Sequence, residues 1–526
     1  MKDAVKDLVL RMTGGNATVA EICATTVADV ADGNVCCRVS EADVKALAAE
    51  PAVASFADAS SDVACAETPF VVCGDLLYTR RNWLYERNVA KRIAAMAANV
   101  SSKDVVLPAN EFYARLREEQ RAAVVAMCQA QFTILTGGPG TGKTHTIARA
   151  VRYLQEANPE LRLALAAPTG KAAARMTESM ANAGIVSAPA MTIHSLLGSR
   201  HDLVSFHHGR ENPLAVDWLI VDEASMIDLP LMSKLLDALP EGCKLTLVGD
   251  VDQLASVERG RVFGDLCRMP DVSISRLRES TRFPPDGDIA RIADAVNANR
   301  PDEVMAILKG NGGIVRYVEL GGGASSSPRA WPGFMGLCRE KFARFAESAD
   351  ARTALERLND FRVLCALRHG PFGVERVNEF LKDRLGTKCP IPMMITQNDR
   401  LQGVANGDVG VVLPDEPKVL YLPGDERPRS VRLELLPATE LALATTIHKS
   451  QGSEFDDVAI ILPPDGENPL LTREILYTGI TRTKGSVHVY SGDEAIRACC
   501  RKSVERVTGL TVFRQADDAA CGEMIK

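Results

Sequence analysis

The segment GGPGTGKT, Gly137 to Thr144, sets Gly137, Gly138, Gly140 and Gly142 around Pro139 and Thr141 and ends in Lys143 and Thr144. Glycines allow backbone N–H groups to curl around phosphate oxygens, and a helix opening at such a loop adds a favourable dipole. Lys143 is placed to reach the terminal phosphates of a nucleotide, and the Thr144 hydroxyl to ligate magnesium. A plain glycine turn is the weaker explanation, because the bare pattern would arise by chance on the order of 0.02 times in a chain of this length. Downstream, the apolar run Trp218 to Val221 ends in Asp222 and Glu223. Alone, such an acidic pair is more often a helix cap. About 80 residues after a phosphate loop, it reads as a magnesium carboxylate (Asp222) followed by a group that orients or deprotonates water (Glu223). The stretch KLTLVGD at 244 to 250 leads into Asp252 and Gln253, an amide placed to sense a γ-phosphate at the carboxyl edge of a sheet. The cofactors implied are ATP and Mg2+.

These residues need a parallel sheet to hold them. From Glu111 onward short apolar strands alternate with amphipathic helices, as in FTILT at 132 to 136 followed by a helix from Lys143, and a second such run opens with FRVLCAL at 361 to 367. The fold class is therefore α/β. Between about 390 and 438 the period shifts to short strands broken by Gly, Pro and Asp, as in NGDVGVVL, which predicts a small β-barrel inserted in the second unit. Residues 1–110, rich in Ala, Val and Asp, are expected to form a small helical domain, and Gly321 to Pro328 a flexible surface loop. At 526 residues the chain is too long for one core. It has 46% hydrophobic and 25% charged residues and no apolar run near the roughly 20 needed to cross a bilayer, so a soluble, cytoplasmic protein without membrane contact is expected. The 14 cysteines show no CxxC spacing and are read as reduced thiols. A net charge of −7 excludes a wholly basic DNA-coating protein but leaves room for a local basic groove.

Taken in order, GGPGTGKT, APTGKAA (167–173), TIHSLLG (192–198), VDEASMID (221–228), VGDVDQL (248–254), ESTRF (279–283), TTIHKSQGSEF (445–455) and LYTGITRTK (476–484) resemble the motif series of superfamily 1 helicases. Within that superfamily, NPLAVDWLIVDEASMID, CALRHGPFGVERVN (365–378) and NGDVGVVL (406–413) resemble the RecD family, the alpha subunits of exodeoxyribonuclease V. Gly479 and Thr483 stand where relatives often carry Ala, and 74–92 (GDLLYTRRNWLYERNVAKR) matches the segment before the motor more weakly.

The resemblance implies a P-loop NTPase with two tandem RecA-like motor domains, at 111–285 (with a short insertion near 199–216) and 286–526, and an SH3-like insertion at 390–438 within the second. Residues 1–110 would face partner subunits. It implies an ATP-hydrolysing 5′-to-3′ helicase acting on single-stranded DNA and duplex ends, in a heterotrimer with RecB-like and RecC-like subunits that repairs and recombines DNA breaks, the nuclease belonging to the assembly. Gln120 falls on the adenine-recognising glutamine, and Arg282 and Arg482 on two arginines that reach the γ-phosphate from the second motor domain. Glu454 falls near the ribose. DNA contacts fall on Pro168, Thr169 and Lys171, on His194 and Ser195, and on Thr446, His448 and Lys449, where hydroxyls, amides and lysine suit phosphates and histidine suits a sugar or base. Outside these motifs each arginine would more often be a surface ion pair and each histidine structural. A standalone helicase and a nucleotide-binding scaffold that does not translocate remain as alternatives.

Overall fold

The computed structural model describes residues 2–510 except 13–14, 56–67, 186–188, 200–205, 257, 311–312, 321–327, 387, 400 and 425–426. Residues 321–327 of the loop expected at Gly321 to Pro328 and residues 200–205 of the insertion expected near 199–216 lie outside the described residues.

The N-terminal segment is not purely helical, which corrects the expectation for 1–110. Beside helices Lys2–Met12, Ala17–Ala31 and Glu41–Ala48 it builds a four-stranded sheet from β1 (Cys36–Arg38), β2 (Val53–Ser55), β3 (Phe70–Cys73) and β4 (Leu76–Thr79), ordered β1-β4-β3-β2. The signal was FVVCGDLLYT: two apolar runs joined by Gly74-Asp75, with Gly74 at φ +58° and Cys73 paired with Leu76 in an antiparallel hairpin. The strands are three or four residues long, too short for periodicity to announce them against an alanine-rich background. Helix Arg80–Ala97 follows at once. It buries Trp83, Glu86, Val89, Ala90, Ile93 and Met96 at helical spacing and lies against helix Leu229–Asp237, where Arg92 donates to the carbonyls of Leu236 and Leu239, both at 2.8 Å.

Next comes a six-stranded sheet of β5 (Phe132–Gly137), β6 (Leu163–Ala167), β7 (Met191–Thr192), β8 (Trp218–Val221), β9 (Lys244–Gly249) and β10 (Ser273–Leu277), all parallel in the order β10-β5-β9-β8-β6-β7. Its central strands β8 (WLIV) and β9 (KLTLVG) are buried along nearly their whole length, as strands covered on both faces are. A second parallel sheet joins β11 (Val315–Glu319) and β12 (Phe361–Cys365) to strands after residue 440. Between β12 and those strands stand β13 (Ile391–Ile395), β14 (Val409–Val412), β15 (Val419–Leu422), β16 (Arg429–Arg432) and β17 (Thr439–Leu441), an antiparallel sheet ordered β16-β15-β14-β13-β17, so the inserted sheet runs on to Leu441, past the expected end at 438. Then β18 (Ala444–Thr446), β19 (Phe455–Ile461) and β20 (Thr483–Ser491) complete the order β11-β20-β19-β12-β18. No helix among the described residues is long and apolar enough to cross a membrane.

After helix Asp493–Arg501 the chain leaves the second sheet and runs back to the beginning of the molecule. Val35 donates to the carbonyl of Val507 at 3.0 Å, Val507 to the Asn34 side chain at 2.9 Å, and Arg506 to the carbonyl of Gly260 at 2.7 Å. Leu510 joins the apolar cluster that holds Trp83, Phe132 and Leu219. This strap closes on the buried carboxylate of Glu86, which accepts from the Tyr78 hydroxyl at 2.8 Å, from the Gly509 amide at 3.1 Å and from the Thr508 hydroxyl. A Cβ on Gly509 would stand 1.8 Å from the Tyr78 hydroxyl oxygen, so only glycine allows this approach.

Burial pushes the Glu86 carboxyl up to about 7, although its three donors pull the other way. A carboxyl whose pKa is higher folded than unfolded holds its proton more tightly in the fold, so its contribution to stability is greatest at low pH and is lost as pH rises from about 4.5 to about 7. Thermal unfolding followed across that window is expected to show wild type losing stability relative to Glu86→Gln as pH rises. Gly509→Ala is expected to destabilise by about 1–3 kcal/mol at any pH in the window.

Candidate nucleotide site and nucleic-acid track

The phosphate loop leaves β5 at its carboxyl end and enters helix Lys143–Ala157. Gly140 (φ +76°) and Gly142 (φ +85°) adopt the left-handed conformation, and both are crowded: a Cβ would meet the Arg282 Cβ at 2.5 Å in the first case and the Gln120 amide nitrogen at 2.6 Å in the second. Gln120 donates to the Thr141 carbonyl at 3.1 Å, so it braces the loop from one side. On the other side the Ser280 hydroxyl donates to Pro139 and the Thr281 hydroxyl to Gly140, both at 2.9 Å. Lys143 Nζ donates to the carbonyls of Gly137 and Gly138 at 2.6 and 3.1 Å.

Asp222 and Glu223 stand at the tip of β8, and Glu223 has a φ of +51°, a strained conformation for a side chain of this kind. Its amide donates to Asp222 Oδ1 at 2.8 Å, which turns the backbone so that both carboxylates enter the cleft. Burial and then the Glu223 carboxylate push Asp222 up, while Lys143 pulls it down. Gln253 donates to Asp250 at 3.0 Å and leaves Oε1 buried without a partner.

One cleft is lined by Pro139 to Thr144, Arg175, Asp222, Glu223, Gln253, Arg282, Glu454 and Arg482. Within it Glu454 pairs with Arg282 at 2.8 Å and with Arg175. Burial would raise the Glu454 carboxyl, but the two guanidiniums overcome it and hold the group at about 2. Arg282 Nη1 is buried and unpaired. Arg482 is buried and donates to the carbonyls of Thr478 and Ser453, both at 3.3 Å. Arg482 comes from the second sheet. Arg282 stands on the link between the sheets: Ser280 and Thr281 before it are tied to the phosphate loop, and Phe283 after it enters the core of the second sheet.

The track candidates lie outside this cleft, at the carboxyl tips of β6, β7 and β18. Pro168, Thr169 and Lys171 follow β6, where the Thr169 hydroxyl caps helix Gly170–Asn182 by accepting from Ala172 at 3.2 Å. His194, exposed and 5.8 Å from the Phe206 ring, and Ser195, whose amide donates to the Thr192 hydroxyl at 3.1 Å, follow β7. Thr446 ends β18, and His448 and Lys449 follow it. His448 is half-buried, and Lys449 is paired with Glu440.

Comparison with known proteins agrees with this geometry. Residues 120–259 match the AAA domain family and 441–490 the UvrD-like helicase C-terminal domain family. The chain is 37% identical over 464 residues to the RecBCD enzyme subunit RecD of Mycolicibacterium smegmatis, covering 83% of this chain and 82% of the relative. It is 31% identical to the protein of that name from Haemophilus influenzae, covering 82% and 79%. The chain belongs to the RecD family. It is also 30% identical to the ATP-dependent RecD2 DNA helicase of Deinococcus radiodurans, over 70% of this chain and 48% of that one. As a RecD-family member it is an ATP-hydrolysing superfamily 1 DNA helicase.

Three residues in or beside this RecD-family cleft escaped the sequence reading. Arg175 lies two residues beyond APTGKAA and one helical turn after Lys171. Asp250, at the end of β9, accepts from the Tyr477 hydroxyl at 3.0 Å, joining the first sheet to the helix Arg473–Ile480 that precedes Arg482. Burial and the Asp250 carboxylate push the Tyr477 phenol far up, so it remains a donor. Beside it the Leu254 amide donates to the Thr478 hydroxyl at 3.0 Å and Gln451 donates to the Leu254 carbonyl at 2.9 Å. Tyr477→Phe removes the hydroxyl that bonds Asp250 and leaves the two contacts of Leu254 in place. Its DNA-stimulated ATPase kcat is expected to fall roughly fivefold, the equivalent of about 1 kcal/mol, with KM for ATP little changed; an unchanged kcat would show that the bond has no part in turnover.

Proposed function

We propose that the chain is the 5′-to-3′ motor subunit of a RecBCD-type helicase-nuclease, working beside RecB-like and RecC-like subunits on duplex ends and single-stranded DNA in double-strand-break repair and recombination. The observation that carries this reading is the single cleft in which Lys143, Asp222 and Glu223 of the first sheet face Arg482 of the second, with further candidate contacts on strand tips of both sheets outside it. Closing the cleft on ATP would move the tip of β18 relative to those of β6 and β7, and hydrolysis would release it, so that chemistry becomes stepping. The division into motor domains at 111–285 and 286–526, the SH3-like character of the insertion, the partner-facing role of residues 1–110 and a cytoplasmic location belong to the same reading.

ATP would sit with its phosphates in the loop, Gln120 beside the base and Glu454 near the ribose. Thr144 and Asp222 suit magnesium, because Mg2+ usually takes one or two protein oxygens and completes its shell with nucleotide and water. No cluster of three His, Cys, Asp or Glu among the described residues offers a nucleotide-independent metal site. Glu223 orients the attacking water. Arg282, with Nη1 unpaired, and Arg482 would stabilise the charge that spreads over the transferring phosphoryl group, and the free Oε1 of Gln253 would report the γ-phosphate to Asp250 and Tyr477.

The test is ATP hydrolysis and unwinding of duplexes bearing a 5′ or a 3′ single-stranded tail, by the chain alone and co-expressed with RecB-like and RecC-like partners, with Lys143→Gln as control. Unwinding of the 5′-tailed duplex only, lost in the control, is expected. Equal unwinding from 3′ tails would overturn the polarity. Full activity without partners, unchanged by adding them, would favour a standalone helicase, and ATP binding with no DNA stimulation in any setting would favour a scaffold.

A further inference from the structure

Resting on the reading of the chain as a motor on single-stranded DNA, we propose that Arg368 and Lys449 form a backbone-phosphate site, and that Glu440 of the insertion occupies it until a strand arrives. Strands β12 and β18 are parallel neighbours with Cys365 opposite Thr446, and the Ile447 amide donates to the Cys365 carbonyl at 3.0 Å. Three residues beyond each of these matched tips stand Arg368 and Lys449. Glu440 bridges them, with Oε1 2.5 Å from Lys449 Nζ and Oε2 3.1 Å from Arg368 Nη2. A carboxylate giving one oxygen to an ammonium and the other to a guanidinium reproduces how a phosphodiester presents its two non-bridging oxygens.

All three groups remain open to exchange. The side chains of Glu440, Lys449 and Arg368 are 27%, 29% and 52% exposed, so neither ion pair is locked in the interior. Pairs of this exposure are weak. A nucleic-acid phosphate arrives with the added gain of counterion release, which a tethered carboxylate does not have. Arg368 is further held by Glu375, 3.6 Å away, which also meets the His369 ring at 2.9 Å; the backbone of Lys449 is fixed by its amide, which donates to the Thr446 hydroxyl at 3.1 Å. When Glu440 leaves, Arg368 therefore keeps one partner and the Lys449 ammonium is freed on a fixed backbone.

Glu440 lies on β17, an edge strand of the insertion paired with β13 and separated from β18 by Ala442 and Leu443 alone. Its displacement bears directly on β18, which ends in Thr446, and on the turn after it that carries His448 and Lys449. The insertion thus sets the threshold at which the track accepts a strand.

The test is binding of fluorescent oligo-dT by the full chain over a range of KCl concentrations. Glu440→Gln is expected to bind roughly two- to fivefold tighter, the size of a partly exposed charge pair. Glu440→Asp, which keeps the charge on a stem one methylene too short to reach both cations, is expected to bind tighter as well and serves if the first variant is poorly folded. Lys449→Ala and Arg368→Ala should bind more weakly, each lowering the slope of log Kd against log salt by about 0.7. In a chain that lacks both cations, Arg368→Ala/Lys449→Ala, adding Glu440→Gln should bring no gain. Binding by both Glu440 variants equal to or weaker than wild type, or a gain that survives loss of both cations, overturns the proposal while the motor reading stands. A wild-type chain that binds ATP but no oligo-dT overturns both.

Discussion

A loop of backbone amides at the tip of β5 has to be held open to accept phosphates, and most of the chemistry in this chain depends on how that is done. Gly140 and Gly142 supply the left-handed turns, but glycines alone would leave the loop mobile. Gln120 braces it from the helix before β5, and Ser280 and Thr281 brace it from the far side of β10. Because the second brace carries Arg282, the geometry that shapes the loop also delivers a cation to it. The glycines are thus constrained twice, by φ and by the side chains that press on them.

The cleft is balanced by charge. Burying Asp222, Glu223, Asp250 and Glu454 together would be costly without Lys143, Arg175, Arg282 and Arg482 among them. The balance is shared between the halves of the molecule: Glu454 of the second half neutralises Arg175 of the first and Arg282 on the link between them. Opening the cleft must separate these pairs and break the bonds from Tyr477 to Asp250 and from Gln451 to Leu254, all of which lie between the two sheets. A change at the nucleotide therefore reaches the second sheet through polar contacts that are made or lost together, which is how a small movement becomes a discrete one.

At the other end of the second unit, the strap from Lys502 to Leu510 ties it to the beginning of the chain. Glu86, Tyr78 and Gly509 lock that return, and Leu510 enters the core below the first sheet. The two halves are thus joined both by the crossover after β10 and by this strap. Motion that separated them would have to turn about these two connections.

Local chemistry made much of this legible in the sequence. GGPGTGKT needs a strand before it and a helix after it, so the string itself dictated the loop, and apolar runs ending in Asp222 and Glu223 or in Asp250 dictated strand tips. The antiparallel insertion was visible in its Gly, Pro and Asp punctuation, whereas the hairpin FVVCGDLLYT was hidden by the brevity of its strands. What the sequence did not decide was who meets whom across distance. Arg175 finding Glu454, Tyr477 finding Asp250, Glu440 bridging Arg368 and Lys449, and Gly509 lying on Tyr78 join residues up to more than 400 positions apart in the chain. No local spacing encodes such pairs, because each exists only once two sheets, an insertion and a returning strap have been packed together, and the charges and hydroxyls then pair because burial penalises leaving them alone.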